Sequence, residues 1–434
     1  MGNKDAKKKV LLVTYYWPPA GGPGVQRWLK FVSYLPQFGI EPIVYIPENP
    51  EYPILDENLV DQVPSGITII KQPIREPASF AKKLFGKKTK QLQSGILPTK
   101  KASLATRLML YVRANFFIPD ARVGWVKPSV IFLKEYCKQH SIDTIITTGP
   151  PHSMHLIGMH LQKETGVKWL ADFRDPWTTI HYFAQLPLKN SALKKHKELE
   201  KKILTAADII TVTSKPTQTE FEKLTARPIH VVTNGYDANQ SPKEPIPLDN
   251  KFSIAHIGSL LSDRNPKQLW KVLADLIIVY PSLKEDLQIT LAGVVSEEVL
   301  LSIAEAGLEK YVNNYGYVSH AEAIRLQHAS QILLLLEMDK EETKVILPGK
   351  LFEYMAAKRP ILALGPEDGA IASILEETNA GVYYSYKESA DIYTYLESQY
   401  NTYKTESIQV QSQGVTAYSR EAVSEKMAAI LRDL

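Results

Sequence analysis

The alternation of short apolar runs with longer helical patterns constrains the fold of this 434-residue chain more than any other feature. The strand-like runs of the first half are KVLLVTY, EPIVYI, ITIIKQ, DTIITT, KWLADF, DIITVTS and HVVT. Each run is short and mostly apolar throughout, which is typical of parallel strands that are buried on both faces. Strands that alternate with helical segments form βαβ units. The first half therefore predicts an α/β fold with a doubly wound parallel sheet.

The second half repeats this organisation after a polar segment with three prolines, residues 236–251, which is the best linker in the chain. The strand-like runs that follow are FSIAHIGS, LQITLAG, VNNYGYV, QILLLLE, RPILALG and AGVYYS. The chain exceeds the roughly 250–300 residues at which one hydrophobic core stops growing. We predict two Rossmann-like domains that face an interdomain cleft: residues 1–240, which the C-terminal helix 416–434 joins, and residues 250–415.

Composition and absent motifs exclude several classes of protein. The single cysteine, Cys137, permits neither an intrachain disulfide nor a thiolate metal cage, and it indicates a reducing compartment. No apolar segment approaches the roughly 18–20 residues that span a bilayer, and the N-terminus lacks a signal-peptide core. We therefore expect a cytoplasmic protein without a nucleic-acid partner. The motifs of P-loop, zinc and serine hydrolases are missing, which disfavours those reactions.

The net charge of +4 decides little, but the positive charge is unevenly distributed. Residues 77–119 contain no Asp or Glu and carry nine basic residues, with apolar side chains between them. Basic residues beside apolar ones suit an anionic membrane surface, so residues 80–117 are a candidate for peripheral binding at the inner face of the membrane. A solvated, lysine-rich insertion is the alternative interpretation.

The loop after the first strand, Ala20-Gly21-Gly22-Pro23-Gly24, resembles a phosphate-binding turn. A dinucleotide fingerprint needs G-x-G-x-x-G, and Arg27 stands where the third glycine is required. This departure disfavours a hydride-transfer enzyme. We expect Gly21 and Gly22 to let the backbone approach donor phosphates at a helix N-terminus, with a tight turn as the alternative.

The stretch LPGKLFEYMAAKRPIL predicts a second anion site in the second half. The first-turn N–H groups of Gly349–Leu351 have no helical acceptor, and they lie at the positive end of the helix with the ammonium of Lys350. We expect this site to bind a diphosphate. Glu353 lies three residues further on, where a carboxylate accepts two hydroxyl groups of a ribose.

The loop GSLLSDRNPK follows the first strand of the second half. Gly258 permits close approach, and Arg264 and Lys267 can reach back over the end of the sheet. Together with Lys350, these cations would neutralise a diphosphate leaving group without metal, although surface solvation is the alternative for Arg264 and Lys267. Because no Asp-x-Asp cradle for a metal–diphosphate complex occurs, we expect no metal and no cofactor.

Two further loops of the first half carry polar residues beyond a strand. DFRDPW places Asp172, Arg174 and Asp175 together, either to orient acceptor hydroxyl groups or to form a rigid ion pair. His152 in TGPPHS is a candidate general base, a hydroxyl ligand or a histidine satisfied within its loop. Asp172 and His152 are the catalytic candidates of this half, and Arg174 and Asp175 are assigned to the acceptor.

These features together resemble the retaining glycosyltransferases of family 4, which have the GT-B fold. The matching stretches are PPAGGPGVQRWLKF, ADFRDPW, ADIITVTS, VVTNGYD, HIGSL, GYVSHAEAI and LFEYMAAKRPIL. The resemblance implies transfer of a sugar from a nucleotide-diphosphate sugar to a glycan or lipid-linked acceptor, with retention and without metal. It also implies that Glu353 binds the ribose, that Arg264 binds the diphosphate, and that residues 315–318, including Tyr317 and Val318, meet the nucleobase.

One position departs from the family pattern, since Val345 stands where a second glutamate is expected, eight residues before Glu353. This leaves two alternatives open. A nucleotide-sugar epimerase of the same fold would draw its acid and base from Asp172, Asp175 and Glu341 or Glu342. A non-catalytic protein that binds sugar nucleotides is the other.

Overall fold

The computed structural model describes residues 7–76, 104–242 and 244–434, so most of the basic segment 80–117 lies outside the described residues. The chain forms two compact units. The first runs to Thr233 and includes the final segment Arg420–Leu434, and the second spans Asn234–Ser419. Each unit is built on one parallel sheet, and the predicted α/β fold with two Rossmann-like domains is confirmed.

The first unit contains a seven-stranded sheet in the order β3-β2-β1-β4-β5-β6-β7, and the second a six-stranded sheet in the order β10-β9-β8-β11-β12-β13. The strands are β1 Lys8–Val13, β2 Ile40–Pro47, β3 Thr68–Gln72, β4 Thr144–Gly149, β5 Lys168–Phe173, β6 Ile209–Val212, β7 Ile229–Val231, β8 Phe252–Ile257, β9 Leu287–Ala292, β10 Val312–Gly316, β11 Ile332–Leu336, β12 Ile361–Gly365 and β13 Gly381–Ser385. Central strands are buried along their whole length, as their apolar composition predicts.

Helices connect the strands and cover the sheets. Within the described residues they are α1 Pro23–Tyr34, α2 Leu104–Phe116, α3 Val126–His140, α4 Ser153–Thr165, α5 Asn190–Ala206, α6 Lys215–Glu222, α7 Lys267–Val279, α8 Leu283–Asp286, α9 Glu297–Glu305, α10 His320–Ala329, α11 Gly349–Ala356, α12 Ala370–Thr378, α13 Ser389–Thr405 and α14 Arg420–Arg432. None of these helices is long and apolar enough to cross a lipid bilayer.

The last helix, α14, packs in the first unit although it follows the second in sequence. Its apolar residues Val423, Met427 and Leu431 belong to the same buried cluster as Trp28 and Val32 of α1. Spacing of four residues places these three side chains on one face of the helix. Burial of that face explains why the chain returns to its first unit.

Both sheets reverse their strand order beside the first strand of the unit. In the first sheet the reversal lies between β1 and β4, and in the second between β8 and β11. Ligands of open parallel sheets bind beyond the carboxyl ends of the strands at such a point. The loops after β8 and β11 therefore define the candidate site of the second unit.

Candidate functional site

Lys350 lies directly against the end of β8. The chain leaves this strand at Gly258, whose φ of +134° lies in a region that residues with a side chain rarely adopt. A Cβ atom at Gly258 would also overlap the Lys350 ammonium group. Lys350 is the second residue of α11, which begins after Pro348. The first turn of α11 therefore brings a cation to the point where the strand order reverses.

Arg264 and Glu337 complete a charged cluster around this ammonium. Arg264 ends the short turn Ser262–Arg264 after β8, and its Nη2 lies 3.7 Å from Glu337 Oε2. Glu337 is the first residue after β11 and is only 3% exposed. Its Oε2 and the Nε of Arg264 are buried atoms without a hydrogen-bond partner among the described residues. This ion pair therefore has one donor, Arg264 Nε, and one acceptor, Glu337 Oε2, that are not hydrogen-bonded within the described residues.

Burial sets the protonation of this cluster. It lowers the pKa of Lys350 to about 8, an effect that Arg264 reinforces and that Glu337 and Glu353 oppose. Burial likewise raises the pKa of the Glu337 carboxyl, while Arg264 and Lys350 hold it down. A cation removed from water gains most from a fixed anionic partner. The site is accordingly poised to bind a further anion such as a diphosphate.

Glu353 and the helix start lie beside these charges. Glu353 is half-buried, and Gln327 Nε2 donates to its Oε2 at 3.3 Å, which leaves the other oxygen for a ligand. The Leu351 N–H already donates to the Pro348 carbonyl at 3.1 Å, and the Leu351 side chain is fully buried. The N–H groups of Gly349 and Lys350 make no such backbone bond within the described part of the chain.

Three further donor-site candidates of the second unit, Lys267, Tyr317 and Val318, lie on other elements. Lys267 begins α7 and pairs with Glu298 at 3.5 Å, with both side chains more than half exposed. The structure therefore does not bring Lys267 to the cluster. Tyr317 follows β10 and is 90% exposed, whereas Val318 packs partly against the core. The ring of Tyr317 is free to stack on a planar group, and its contact with a nucleobase stays a prediction.

In the first unit, Asp172 is fully buried at the end of β5 and holds a hydrogen-bond network. Its Oδ1 accepts from Arg27 Nη2 and Thr211 Oγ1, both at 2.9 Å. Its Oδ2 accepts from Trp28 Nε1 and Thr148 Oγ1, both at 2.8 Å. No oxygen of Asp172 is left for a substrate. Of the two roles considered for this carboxylate, the geometry favours the structural ion pair.

The partner in that ion pair is Arg27, not the neighbouring Arg174. Arg27 also donates to the carbonyl groups of Val232 and Thr233, at 2.9 and 2.8 Å. It stands where a dinucleotide-binding loop requires its third glycine. The side chain that breaks the fingerprint therefore ties α1 to β5 and to the chain after β7.

Arg174 lies under the glycine-rich loop instead. Its Nη1 donates to Thr148 Oγ1 at 2.7 Å and its Nη2 to the Pro150 carbonyl. A Cβ at Gly24 would lie only 3.2 Å from the Arg174 Nε. Asp175 is half-buried, and burial raises its pKa although Arg174 lowers it. This carboxylate has no hydrogen-bonded or ion-paired side chain among the described residues, so it can accept hydrogen bonds from a ligand.

Gly21 and Gly22 shape the turn that precedes α1. The Gly21 N–H donates to the Ile54 carbonyl at 3.0 Å. Gly22 has a φ of +103° and is the N-cap residue of the helix. The turn conformation accounts for Gly22, and the close packing of Ile54, 3.0 Å from where a Cβ would lie, accounts for Gly21. Contact of either glycine with donor phosphates stays a prediction.

His152 lies immediately before α4, with its ring stacked on Trp177 at a centroid distance of 4.6 Å. It is 7% exposed, and its Nδ1 has no hydrogen-bond partner among the described residues. Burial lowers its pKa well below the ordinary range, and His155 and Arg174 add to the effect. His152 is therefore neutral at physiological pH and able to accept a proton or a hydrogen bond.

Sequence reasoning missed Glu337 and the role of Arg27. Glu337 follows the run QILLLL directly, so its position after a strand at the reversal point was a usable signal. Arg27 had no such signal, because its partners Asp172, Val232 and Thr233 are more than 140 residues away along the chain. Only the assembled sheet brings them together.

No protein-family model and no curated protein matches the sequence. Solved structures match the whole chain. Alr3699/HepE of Anabaena in complex with UDP is 14% identical to this chain, with a TM-score of 0.64. The match covers 98% of this chain and 100% of that one. The same protein has also been solved with UDP and glucose. The lipopolysaccharide outer core galactosyltransferase WaaB is 15% identical with a TM-score of 0.58, covering 98% and 100%. A Listeria monocytogenes protein described as a UDP-N-acetylglucosamine 2-epimerase is 11% identical with a TM-score of 0.56, covering 99% and 96%.

At these identities the comparisons establish the fold, and the predicted GT-B architecture is confirmed.

Proposed function

We propose that this protein is a retaining, metal-independent glycosyltransferase of family 4 that moves a sugar from a nucleotide-diphosphate sugar to a glycan or lipid-linked acceptor. The observation that carries the proposal is the partly buried cluster of Lys350 and Arg264 beside the first turn of α11. The cluster lies at the reversal point of a GT-B donor-type sheet. The UDP bound to the similar HepE structure supports a nucleotide donor.

The cations act on the leaving group. As the bond between the anomeric carbon and the diphosphate breaks, negative charge accumulates on the phosphate oxygen. Arg264, Lys350 and the N–H groups of Gly349 and Lys350 would stabilise that charge without a metal ion. Glu353 would accept the ribose hydroxyl groups. Attack by the acceptor on the face that the phosphate leaves gives retention, with the leaving phosphate helping to take the acceptor's proton.

The first unit would bind the acceptor. Asp175 offers a carboxylate without a fixed partner, Arg174 lies beside it, and neutral His152 adds a hydrogen-bonding group. A carboxylate and a neutral imidazole together orient hydroxyl groups, which are the common feature of glycan and lipid-linked sugar acceptors. Arg174 is held by Thr148 and Pro150, and its charge lowers the pKa of Asp175, so it favours the ionised form of that carboxylate.

The proposal is tested with a thermal-shift panel of nucleoside diphosphates and nucleotide sugars. One nucleotide is expected to raise Tm, because a ligand that binds only the native state stabilises it. Nicotinamide dinucleotides are expected to have no effect. Transfer from the selected nucleotide sugar should continue in the presence of a chelator. A Tm that only dinucleotides raise, or transfer that requires added metal, would contradict the proposal.

A second candidate function is epimerisation of the nucleotide sugar, which the structural likeness to the Listeria epimerase favours. Asp172 is one of the acid–base candidates for such a reaction, but it is buried and both of its oxygens already accept hydrogen bonds, so it is not available to the substrate. Incubation of the protein with the nucleotide sugar alone separates the two functions. An epimerised product in the absence of acceptor would replace the transferase proposal. Binding without hydrolysis, transfer or epimerisation would instead indicate a non-catalytic sugar-nucleotide-binding protein.

We further propose a peripheral site at the inner face of the membrane, supported by α2. Leu108, Val112 and Phe116 are spaced by four residues and are 63%, 38% and 69% exposed. Asn115 on another face of α2 donates to the Pro187 carbonyl, so the helix is anchored while this apolar stripe stays uncovered. Arg107 is exposed beside it. An apolar stripe with basic flanks matches an anionic lipid surface.

Replacing Leu108 and Phe116 by serine is expected to reduce binding to anionic vesicles about tenfold, because two exposed apolar side chains would no longer insert. Co-sedimentation with phosphatidylglycerol vesicles at two salt concentrations measures the effect. The matched control is Ile278→Ser in the second unit, an exposed apolar residue outside this helix. The membrane proposal is contradicted if neither the substitutions nor salt change the binding, or if the unsubstituted protein does not bind. The basic segment would then be interpreted as a solvated surface.

A further inference from the structure

Glu337 is a buried carboxylate at the centre of the candidate donor site, and the mechanism above gives it no role. Its Oε2 lies 3.7 Å from the Arg264 Nη2 and has no hydrogen-bond partner among the described residues. The Tyr386 hydroxyl donates to its backbone carbonyl at 2.6 Å, so the main chain is fixed here. The Glu337 backbone N–H donates to the Leu364 carbonyl at 2.9 Å. These two bonds fix the backbone from which the carboxylate extends toward Arg264.

The groups that face Glu337 come from every element around it. Arg264 comes from the turn after β8, Lys350 from α11, and the phenols of Tyr383 and Tyr386 from β13 and the loop after it. Burial raises the pKa of both phenols, so they stay neutral. His256, next to Lys350, is buried with its pKa lowered to about 3 and is also neutral. Arg264 and Lys350 are therefore the cations that Glu337 balances.

A bound diphosphate would compete with Glu337 for the same two cations. In the empty site the carboxylate compensates Arg264 and keeps its guanidinium near the end of β11. A diphosphate brings two negative charges to this cluster, and Arg264 and Lys350 would then have to balance these charges as well as Glu337. Like charges at short distance in a partly desolvated site cannot all stay ionised. Burial already raises the pKa of the Glu337 carboxyl, and its Oε2 has no hydrogen-bond partner among the described residues, so this carboxylate is the group that is protonated most easily.

We propose that Glu337 is a positioning residue that holds Arg264 in the empty site and takes up one proton when the diphosphate of a nucleotide sugar binds. This inference rests on the proposed donor site. The proton comes from solvent and resides on the Glu337 carboxyl, which then donates a hydrogen bond while Arg264 turns to the phosphate. Release of the nucleoside diphosphate returns the proton and restores the ion pair.

The direction of the pH dependence follows from the sign of the pKa change. Burial already raises the pKa of Glu337 in the empty site, and the diphosphate raises it further. Uptake occurs between the two pKa values, and affinity falls there as pH rises, by at most about tenfold per pH unit for one proton. Lys350 adds a separate loss of affinity above its pKa of about 8, because it is neutral there.

The test is calorimetry of the intact protein with the nucleotide sugar that the thermal-shift panel selects. A nucleotide sugar is used because its diphosphate is a diester, and it lacks the terminal phosphate group whose pKa of about 6 would itself take up a proton. Titrations at about pH 6, in buffers of different ionisation enthalpy, measure the protons taken up. Lys350 is already charged at that pH, so the difference between wild type and Glu337→Gln reports Glu337.

Wild type is expected to take up a proton, with an affinity that falls three- to tenfold per pH unit over part of the range below the Lys350 pKa of about 8. Glu337→Gln, neutral and of the same shape, is expected to bind without that uptake and with a flat profile. Glu337→Asp should keep the pH dependence. The charge-matched control is Glu305→Gln, an exposed acid of α9 that should behave as wild type.

Wild-type binding without proton uptake, or uptake that persists in Glu337→Gln, overturns this inference and leaves the donor site standing. A wild-type protein that binds no nucleotide sugar of the panel overturns the proposed function and this inference with it. A merely structural Glu337 would change Tm and affinity together in Glu337→Gln and leave the pH profile unchanged, which also overturns the inference.

Discussion

Lys350→Ala is expected to weaken binding of the donor nucleotide about 100-fold. The ammonium of Lys350 lies against Gly258 at the start of α11, and its pKa of about 8 keeps it charged at neutral pH. Truncation of a buried group that bonds to a charged phosphate costs about 2–4 kcal/mol, and about 2.7 kcal/mol corresponds to 100-fold. Calorimetry with the nucleoside diphosphate at pH 7 measures the loss.

The folded state should survive this substitution. Lys350 is a partly buried cation whose removal leaves the Arg264–Glu337 ion pair in place, so Tm of the free protein is expected to change little. Lys271→Ala, which removes an exposed lysine of α7, serves as the control and should bind as wild type. Wild-type nucleotide affinity in both Lys350→Ala and Lys271→Ala would mean that the donor site lies elsewhere in the chain.

Asp172→Asn is expected to destabilise the first unit by about 3–5 kcal/mol, because the substitution leaves the Arg27 guanidinium buried without its anion. Arg27 is 3% exposed and Asp172 fully buried, and four side chains donate to the carboxylate. The amide of Asn carries two donors of its own, so it cannot accept all of these bonds. Urea unfolding followed by tryptophan fluorescence measures the change.

The pH dependence of stability gives the same prediction an independent test. Although burial alone would raise it, the Arg27 guanidinium lowers the pKa of Asp172 below its ordinary value. A carboxyl with a lowered pKa stabilises the fold above its unfolded-state pKa, and the contribution is lost as pH falls through the folded-state value. Wild type should lose stability in acid, and Asp172→Asn should show a smaller loss.

The matched control for Asp172 is Asp61→Asn, which neutralises an exposed acid of the same unit and should change stability by less than about 0.5 kcal/mol. The alternative catalytic role makes an opposite prediction. Loss of sugar transfer in Asp172→Asn at unchanged stability and unchanged donor affinity would mean that the carboxylate acts on substrate.

The two units differ in how well their polar loops could be interpreted from sequence. In the second unit, Gly258 and Lys350 lie against each other because Gly258 follows β8 directly and Lys350 is the second residue of α11. Such positions are set by local order along the chain. In the first unit, the sequence DFRDPW predicted that Asp172, Arg174 and Asp175 form one cluster, whereas the fold separates Asp172 from the other two. Asp172 faces Arg27 inside the sheet, and Asp175 lies half-exposed beside Arg174.

Lys267 illustrates the limit of proximity in sequence. It lies three residues from Arg264, yet it pairs with Glu298 of α9 while Arg264 pairs with Glu337. The turn Ser262–Arg264 and the start of α7 point these two side chains in different directions. Arg264 ends one turn and Lys267 begins the next helix, so no common helical face relates their side chains, and a count of residues does not reveal which one faces the site.

The sequence by itself determined the parallel sheets, the two repeated units and the positions of the glycines and the helix start in the second unit. Periodicity and the residues at strand ends are local properties of the sequence. A parallel strand that is buried on both faces also requires an almost entirely apolar run of residues. Only the tertiary structure decided the partners of the charged groups. Arg27 and Asp172, or Arg264 and Glu337, are far apart in the chain, and burial makes each charge depend on whichever group the fold places beside it.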